Sequence, residues 1–297
     1  MNQDFQPNLQ SVRQIFNEMA REYDHLYDLW YSYSFSRIDS IIRKYFGGQN
    51  RSKTSVLIDV GCGTGIQSLT FARLGYEVIG IDLAENLLKI AREKLDSRFP
   101  GRATFIRGDA QSLPLPDAIA DAVNCCGPTI SFVTDYQKAF REMARVIKPG
   151  GQLILECEQK WNLDMLWEVV NALLGNVFEY DESLREAAKH FAPPFGKGHY
   201  VKYAFRTESG QKSYMRLKLF TPRELRTTLE KAGFKVNQEF GIHSITNLIP
   251  STVLHDASPS AIVRGCFRLL AWIEGFVYNR WPFSNLGCSL VVIATKI

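Results

Sequence analysis

A glycine loop that follows an apolar strand constrains the fold of this chain more than any other feature of its sequence. Residues 56–65 read Val-Leu-Ile-Asp-Val-Gly-Cys-Gly-Thr-Gly, so a buried strand runs into glycines at alternate positions and then into a helix. Glycine lets the backbone turn sharply and lets a ligand approach without a Cβ atom in its way. The free amides at the start of a helix then donate hydrogen bonds to the ligand's polar groups. The loop therefore predicts a ligand site at a strand–helix turn.

Short apolar runs alternate with amphipathic segments from this loop onward. Amphipathic segments predict helices at 66–74, 85–95 and 136–147, and the run Lys-Pro-Gly-Gly at 148–151 turns the chain into the next strand. A further helix begins after Thr221, whose side chain can cap it, and ends at Gly233. Apolar strands that alternate with helices are typical of an α/β, Rossmann-like fold with a mostly parallel sheet covered on both faces. The predicted strands are 56–60, 77–81, 103–106, 121–125, 152–157, 234–240 and 289–296.

Three stretches of the chain lie outside this alternation. The first 50 residues read as two helices around an aromatic cluster that extends from Tyr23 to Phe35. Residues 158–216 and 241–287 are long excursions, and excursions of that size commonly form lids or binding walls. The predicted organisation is an N-terminal helical cap at 1–50, a ligand-binding core at 51–157, an inserted lid at 158–216 and the completion of the core sheet at 217–297, with an apolar excursion at 241–287.

Composition limits what the chain binds and where it works. Hydrophobic residues make up 45% of the 297 residues and charged residues 22%, which excludes wholesale disorder. The net charge of +4 is far below that of a dedicated nucleic-acid binder, and the six cysteines form no CxxC pair, so we expect neither nucleic acid nor metal as a partner. The N-terminus lacks the pattern of a signal peptide, and charged residues interrupt the apolar stretch 261–283. We therefore expect a cytoplasmic protein without a transmembrane segment.

Four positions bear on which of two kinds of ligand uses such a loop, and one of them, Asp82, is compatible with both. A dinucleotide fingerprint requires Gly or Ala three residues after the second glycine, where this chain has Ile66. Asp59 precedes the loop, where a carboxylate can organise the loop amides or attract a cation but would repel a pyrophosphate. Asp82 ends the next strand and can bind two ribose hydroxyls, while Asp109 follows the third strand and can accept a hydrogen bond from the adenine amine. The arrangement favours an adenosine ligand without phosphates.

With these residues in place, the chain resembles the class I S-adenosylmethionine-dependent methyltransferases. The matching stretches are VLIDVGCGTG (56–65), VIGIDLAENLLKIAREKL (78–95), IRGDAQSLPLPDAIADAV (106–123), REMARVIKPGGQLIL (141–155), FTPRELRTTLEKAGF (220–234) and SLVVIATK (289–296). The resemblance implies S-adenosylmethionine as cofactor and a seven-stranded sheet whose last strand is antiparallel and lies between its neighbours. The cofactor-binding residues that it implies are Asp59, Gly61, Cys62 and Gly63 around the methionine part, Asp82 on the ribose, Asp109 on the adenine amine, Leu83 and Ala110 beside the adenine ring, and Asn124 or Cys125 at the sulfonium end.

The N-terminal run from Phe16 to Asp24 resembles the F-x-x-x-A-x-x-Y-D element of quinone C-methyltransferases and of many small-molecule relatives. In those enzymes the element caps the cofactor pocket. The resemblance therefore implies that Tyr23 contacts the cofactor or belongs to a lid. An aromatic helix end in the core is the other interpretation of this residue.

Methyl transfer from a sulfonium is an in-line displacement, which requires that the nucleophile and the methyl group are aligned and that water is excluded. A hydroxyl or enol acceptor also benefits from a general base. The candidates near the expected mouth of the site are His25, Glu156 at the end of the fifth strand and His243 after the sixth. His190 and His199 lie in the first excursion and are weaker candidates.

Two features bear on the methyl acceptor. After the fourth strand the chain lacks the Asn/Asp-Pro-Pro-aromatic run of enzymes that methylate base amines, which argues against adenine or cytosine. Basic and aromatic residues are interleaved in 158–216, where they form a charged lid or bind single-stranded RNA. Large apolar residues dominate 241–287, where they pack on the core, form a dimer, line a channel for a lipophilic acceptor or lie on a membrane surface.

The sequence therefore predicts a methyltransferase that acts on an oxygen or carbon of a small apolar or aromatic molecule, in a monomer or homodimer. An RNA or protein methyltransferase is the alternative within the fold. A cofactor-binding scaffold subunit without turnover is the alternative from another class. A nicotinamide oxidoreductase is opposed by Ile66 and Asp59.

Overall fold

Strands from both halves of the chain share one sheet in the computed structural model, which describes residues 9–20, 28–48, 55–180, 184–191, 194–206 and 212–297. The strands are β1 (Val56–Val60), β2 (Glu77–Asp82), β3 (Ala103–Arg107), β4 (Ala120–Cys125), β5 (Ile147–Glu158), β6 (His199–Arg206), β7 (Lys212–Leu219), β8 (Phe234–Ile242) and β9 (Ser289–Lys296). Seven of them form a sheet in the order β3-β2-β1-β4-β5-β9-β8, and β6 pairs with β7 in a separate antiparallel hairpin.

Helices connect these strands and cover the sheet. They are α1 (Leu9–Met19), α2 (Leu29–Phe46), α3 (Ile66–Arg73), α4 (Glu85–Asp96), α5 (Thr129–Phe132), α6 (Tyr136–Val146), α7 (Asp164–Leu173), α8 (Leu184–Lys189), α9 (Pro222–Lys231), α10 (Ser251–Leu254) and α11 (Ala261–Val277). Among the described residues, no helix is both long and apolar enough to cross a membrane.

Strand direction in the sheet follows the predicted fold class, which is confirmed. β1 pairs in parallel with β2 and β4, and β4 pairs in parallel with β5. β9 is the last strand of the chain and lies antiparallel between β5 and β8. The strand order reverses direction at β1, so the carboxyl ends of β1, β2 and β4 diverge there and leave a crevice where ligands of such sheets bind.

Alternating residues of each strand supply two apolar cores. Leu57 of β1 and Ile154 of β5 face a core shared with helices α2, α3, α4 and α11. Ile58 and Leu153, their neighbours in sequence, face the opposite core, which helices α6 and α9 complete. This two-sided burial explains why the strands read as continuous apolar runs in the sequence.

The two residues predicted to begin and end helix α9 have the expected conformations and contacts. Thr221 caps α9, because its side chain accepts a hydrogen bond from the amide of Glu224 at 3.2 Å. Gly233 follows this helix with φ +91°, a left-handed conformation that favours glycine. Residues 148–151 were predicted to form a turn before the next strand, but in the structure β5 already begins at Ile147. The four residues form an irregularity between the pairs Ala120–Ile147 and Ala122–Gln152, and the strand continues through it.

The two excursions contain structure that periodicity did not predict. Residues 158–216 hold α7, α8 and the β6–β7 hairpin, and residues 241–287 hold α10 and α11. Met215 of the hairpin packs against Val12 and Ile15 of α1, with Phe132 of α5 beside them. The first excursion and the N-terminal helix therefore meet above α5.

Candidate functional site

A cavity of about 780 Å³, counted out to its open mouth, lies at the carboxyl ends of β1, β2 and β3. Its walls come from the glycine loop, the ends of β2 and β3, the segment after β4, and helix α1. The lining residues are Val12, Phe16, Gly61, Gly63, Ile81, Asp82, Leu83, Leu87, Gly108, Asp109, Ala110, Gln111, Gly127, Thr129, Phe132, Val133 and Thr134.

The glycine loop forms the floor of this cavity because its backbone is held close to two neighbouring elements. The amide of Gly61 donates to the carbonyl oxygen of Ile81 at 2.7 Å, which ties the loop to β2. Gly61 has φ +71°, and a Cβ atom there would lie 2.7 Å from the Cβ of Thr129 on α5. Only glycine both adopts this positive φ without strain and leaves room for Thr129, so α5 can close one side of the cavity.

Asp82 joins the loop to the start of helix α4. Its carboxylate accepts hydrogen bonds from the amides of Gly63 and Ala84, each at 2.9 Å. Burial raises the pKa of Asp82, although these amide bonds oppose the shift. Asp82 and its neighbour Leu83 both line the cavity, where the sequence expected them.

Asp109 is held in place by a residue that the sequence analysis did not single out. Gln111 donates to Asp109 through its backbone amide at 2.9 Å and through its side-chain amide at 3.1 Å. The side-chain oxygen of Gln111 accepts from the hydroxyl of Thr134 at 2.9 Å. Asp109, Ala110, Gln111 and Thr134 all line the cavity. The position of Gln111 two residues after Asp109 was the available signal for this role.

Asp59 supports the loop from below and is not among the cavity-lining residues. It is buried, and it accepts hydrogen bonds from the hydroxyl of Ser68 on α3 and, at 2.6 Å, from the side-chain amide of Asn124 on β4. Burial raises the pKa of Asp59 to about 6. Its contacts fit a residue that fixes the loop, and they leave no carboxylate oxygen facing a cationic ligand.

Asn124 and Cys125 differ from the expectation that one of them faces the sulfonium end. Both are fully buried, and neither is among the residues that line the cavity. The Asn124 amide instead pairs with Asp59, which a buried carboxylate requires, and Cys125 packs in the core beside α6. Cys62 is likewise buried in the opposite core, and burial raises the pKa of its thiol.

The side of the cavity away from the acids is apolar. Phe16 of α1 and Phe132 of α5 both line it, and their ring centroids lie 5.7 Å apart in an edge-on arrangement. Behind them the buried side chains of Val12, Ile15 and Met215 form a cluster between α1 and the β6–β7 hairpin. An apolar ligand group therefore meets aromatic rings on this side.

Two acids at the end of β5 lie behind the same wall. Glu156 is buried, and its carboxylate accepts a hydrogen bond from the amide of Gly127, a cavity-lining residue, at 2.6 Å. Burial raises the pKa of Glu156. Glu158, which the sequence analysis did not select, is partly exposed, and burial together with the charges of Glu156 and Asp164 raises its pKa to about 8. The predicted candidate Glu156 thus holds the cavity wall, and Glu158 lies two residues further along the same strand; neither acid is among the residues that line the cavity.

His243 lies in a different place from the one expected of a base. Its ring is buried and stacks on Trp30 at 3.7 Å between centroids, with Ser34 at 2.9 Å and Thr246 at 2.8 Å on its two nitrogens. Burial lowers the pKa of His243 to about 3. Its backbone amide donates to the buried Glu274 of α11. The sequence placed His243 correctly after β8, but these contacts make it part of the packing between α2 and α11 and not of the cavity.

The remaining candidates lie elsewhere. Tyr23 and His25 fall outside the described residues. His190 and His199 contact each other at 3.1 Å between ring nitrogens, and burial lowers the pKa of His199 to about 4. Within the described residues, no group of three or more His, Cys, Asp or Glu side chains could hold a metal ion.

Comparisons with known protein sequences identify one kind of enzyme. Residues 58–155 match the family model of a methyltransferase domain. The chain is 34% identical over 169 residues to the ubiquinone/menaquinone biosynthesis C-methyltransferase UbiE of Proteus mirabilis, a match that covers 54% of this chain and 64% of that protein. It is 30% identical over 232 residues to the protein of the same name from Photorhabdus laumondii, with 75% of this chain and 82% of that protein covered.

Among solved structures, the [4+2]-cyclase SpnF has the same fold, with a TM-score of 0.61. The superposition covers 98% of this chain and 97% of that one, at 20% sequence identity. The likeness therefore extends over the excursions as well as the sheet.

Proposed function

The chain belongs to the class I S-adenosylmethionine-dependent methyltransferases, and on that premise we propose that it methylates a carbon or oxygen of a small apolar or aromatic molecule. The observation that carries the proposal is the division of one cavity into two sides. Its polar side presents Asp82 and Asp109, and its apolar side presents Phe16 and Phe132. A nucleoside cofactor suits the first side and an apolar acceptor the second.

The residues present fit the cofactor. The glycine loop offers a floor without side chains, and Asp82 at the end of β2 can accept hydrogen bonds from the two ribose hydroxyls. Asp109 can accept from the adenine amine, and Leu83 and Ala110 can flank the adenine ring. When bound, the cofactor supplies an electrophilic methyl group on a sulfonium. The protein then has to orient the acceptor and exclude water, for which alignment alone can supply about 7–11 kcal/mol.

We propose Glu158 as the general base, an acid near the cavity but not among the residues that line it. Methylation of a phenolic ring carbon or oxygen is faster when the hydroxyl proton is removed, and a carboxylate with a pKa near 8 is matched to that proton transfer near neutral pH. The charge of Glu158 also contributes to raising the pKa of Tyr203, after burial. The Tyr203 ring lies 6.3 Å from that of Phe132, which lines the cavity. Tyr203 thus connects the acid to the apolar side.

The hairpin argues for a small acceptor over RNA. The Arg216 guanidinium lies 3.8 Å from the centroid of the Tyr200 ring, and the Lys202 ammonium lies 3.7 Å from that of Tyr214. Each cation occupies one face of an aromatic ring on which a base would have to stack. The UbiE relatives are named as C-methyltransferases, which supports carbon as the attacked atom.

Cofactor binding is tested by titration calorimetry with S-adenosylmethionine and with NAD. We expect S-adenosylmethionine to bind and NAD to give no heat. Asp82→Asn should weaken binding at least tenfold, because the ribose loses a charged acceptor, a change of about 1.4 kcal/mol. Asp96→Asn, at the exposed end of α4, is the matched control and should leave the affinity unchanged. Preferential binding of NAD would overturn the proposal.

Acceptor class is tested by release of S-adenosylhomocysteine with phenols and quinols, with RNA and with protein extracts. Turnover with the small molecules alone supports the proposal, whereas turnover with RNA or protein alone contradicts it. Cofactor binding without turnover on any class would indicate a scaffold subunit. Glu158→Gln should lower kcat by about 10²–10⁴ and remove the rise in rate as pH increases through about 8. Glu93→Gln, at an exposed position of α4, is the control for this change.

A further inference from the structure

Helix α11 presents an apolar face to solvent. Of its 17 residues only Phe267 and Glu274 are buried, and these two fix the opposite side of the helix to the protein. Trp272 is 64% exposed, and Trp281, just beyond the helix, is 82% exposed. An apolar face of this kind is uncommon on a surface that stays in water. The large apolar side chains that form it, here called the α11 face, are Ile262, Leu269, Trp272, Ile273, Phe276 and Trp281.

The exposed charged residues of α11 and of the segment that follows it are all positive. Arg264, Arg268 and Arg280 are exposed along its length. Glu274 is the single acid in residues 259–286, and it is buried. Its carboxylate accepts hydrogen bonds from the amides of His243, Ile245 and Thr246 and so has no role at the surface. The face therefore combines aromatic and aliphatic groups with a net charge of +3 from its arginines.

We propose that the α11 face docks on the surface of an anionic lipid bilayer. An in-plane helix with large apolar residues on one side and basic residues at its edges is the pattern of interfacial binding, in which Trp and Phe sit at the headgroup level. At about 1.5 Å per residue the helix is about 26 Å long, so it has the length to lie along a membrane surface. This proposal is independent of the acceptor assigned above.

Charge also decides between a bilayer and a second copy of the chain. In a twofold dimer the same patch would meet itself, so the arginines of one copy would approach those of the other. No exposed acid in residues 259–286 could pair with them. Anionic headgroups instead offer each arginine a partner, with a gain of about fivefold in affinity per residue, which corresponds to about 1 kcal/mol.

The test is sedimentation of the full chain with vesicles of phosphatidylcholine alone and of equal parts phosphatidylcholine and phosphatidylglycerol. We expect binding to the anionic vesicles, weakened by added salt, with a blue shift of tryptophan fluorescence. Trp272→Ser should reduce vesicle affinity about tenfold and Arg268→Gln about fivefold. Both residues are exposed, so cofactor affinity and circular dichroism should not change. The matched controls are Leu173→Ser, at an exposed position of α7, and Arg141→Gln, at an exposed position of α6.

Several outcomes would overturn the proposal. Absence of sedimentation with anionic vesicles would do so directly. An equal loss with Leu173→Ser would show that α11 is not the surface involved. A dimer that Trp272→Ser dissociates, without vesicle binding, would make a second copy the occupant. Normal methyl transfer with no vesicle binding would refute the membrane proposal while leaving the proposed function intact.

Discussion

The contact between Gly61 and Thr129 makes the glycine loop sensitive to a single methyl group. Gly61→Ala places its Cβ 2.7 Å from the Thr129 Cβ, well inside ordinary van der Waals contact. A side chain at φ +71° costs about 1–2 kcal/mol and overpacking about 1–3 kcal/mol. We therefore expect a loss of about 2–5 kcal/mol in the free energy of unfolding, measured by urea denaturation.

Two further variants separate these contributions. Gly75 also has a positive φ, +88°, but a Cβ atom there meets nothing within 4 Å, so Gly75→Ala should cost only the backbone part, about 1–2 kcal/mol. Thr129→Gly removes the atoms that an alanine at 61 would strike. The double variant should therefore recover about 1–3 kcal/mol relative to the sum of the single changes.

Cofactor affinity provides a second readout on the same proteins. Gly61 lines the cavity and Gly75 does not, so only Gly61→Ala should weaken S-adenosylmethionine binding. If the effects of Gly61→Ala and Thr129→Gly simply add to within about 0.5 kcal/mol, the steric reasoning is refuted. Equal losses of stability from Gly61→Ala and Gly75→Ala would refute it as well.

Three other expectations concern buried contacts in the α2–α11 packing and between the hairpin and α1. Glu274→Ala leaves three amides, two of them buried, without an acceptor and should lower the free energy of unfolding by about 3–5 kcal/mol, whereas exposed Glu93→Ala should change it by less than about 0.5 kcal/mol. His243→Asn tests the lowered pKa of His243, since the unfolded state takes up a proton below pH 6.5 while the folded state stays neutral to about pH 3. The free energy of unfolding should therefore fall more steeply in the wild type than in this variant as the pH decreases, by up to about 1.4 kcal/mol per pH unit. Parallel curves of stability against pH would contradict the assignment. Met215→Ala loosens the hairpin from α1 and should raise the KM for a phenolic acceptor several-fold with little change in cofactor affinity; an equal loss of both would place the hairpin on the cofactor instead.

The sheet could be predicted from the sequence because its strands are buried on both faces. The runs 56–60 and 289–296 reappear with the same bounds as β1 and β9, since each residue of a doubly covered strand has an apolar environment. The position of β9 between β5 and β8 came from the resemblance and not from periodicity, because no local pattern encodes the order of strands.

The parts that could not be predicted depend on residues far apart in the chain. Asp59 is hydrogen-bonded to Asn124, and Ser34 is hydrogen-bonded to His243. The partners in each pair are far apart in the sequence, so neither contact leaves a periodic pattern. A histidine that follows a strand is interpreted as a candidate base when its neighbours are unknown. In the structure, the neighbours of His243 bury its ring, which lowers its pKa and keeps it neutral. The length and composition of residues 158–216 predicted a lid, but they did not predict the antiparallel pairing of β6 with β7.

Glu274 has a geometric consequence for the whole molecule. Three backbone amides that follow β8 converge on this one carboxylate, and a shift of α11 by a single residue would rotate it away from them by about 100°. The helix therefore cannot roll about its long axis while the fold is intact. The side of the helix that faces solvent is therefore fixed relative to the carboxyl end of β8. The cavity lies at the same carboxyl edge of the sheet. Whatever surface the helix rests upon, the cavity therefore keeps one fixed orientation relative to the helix.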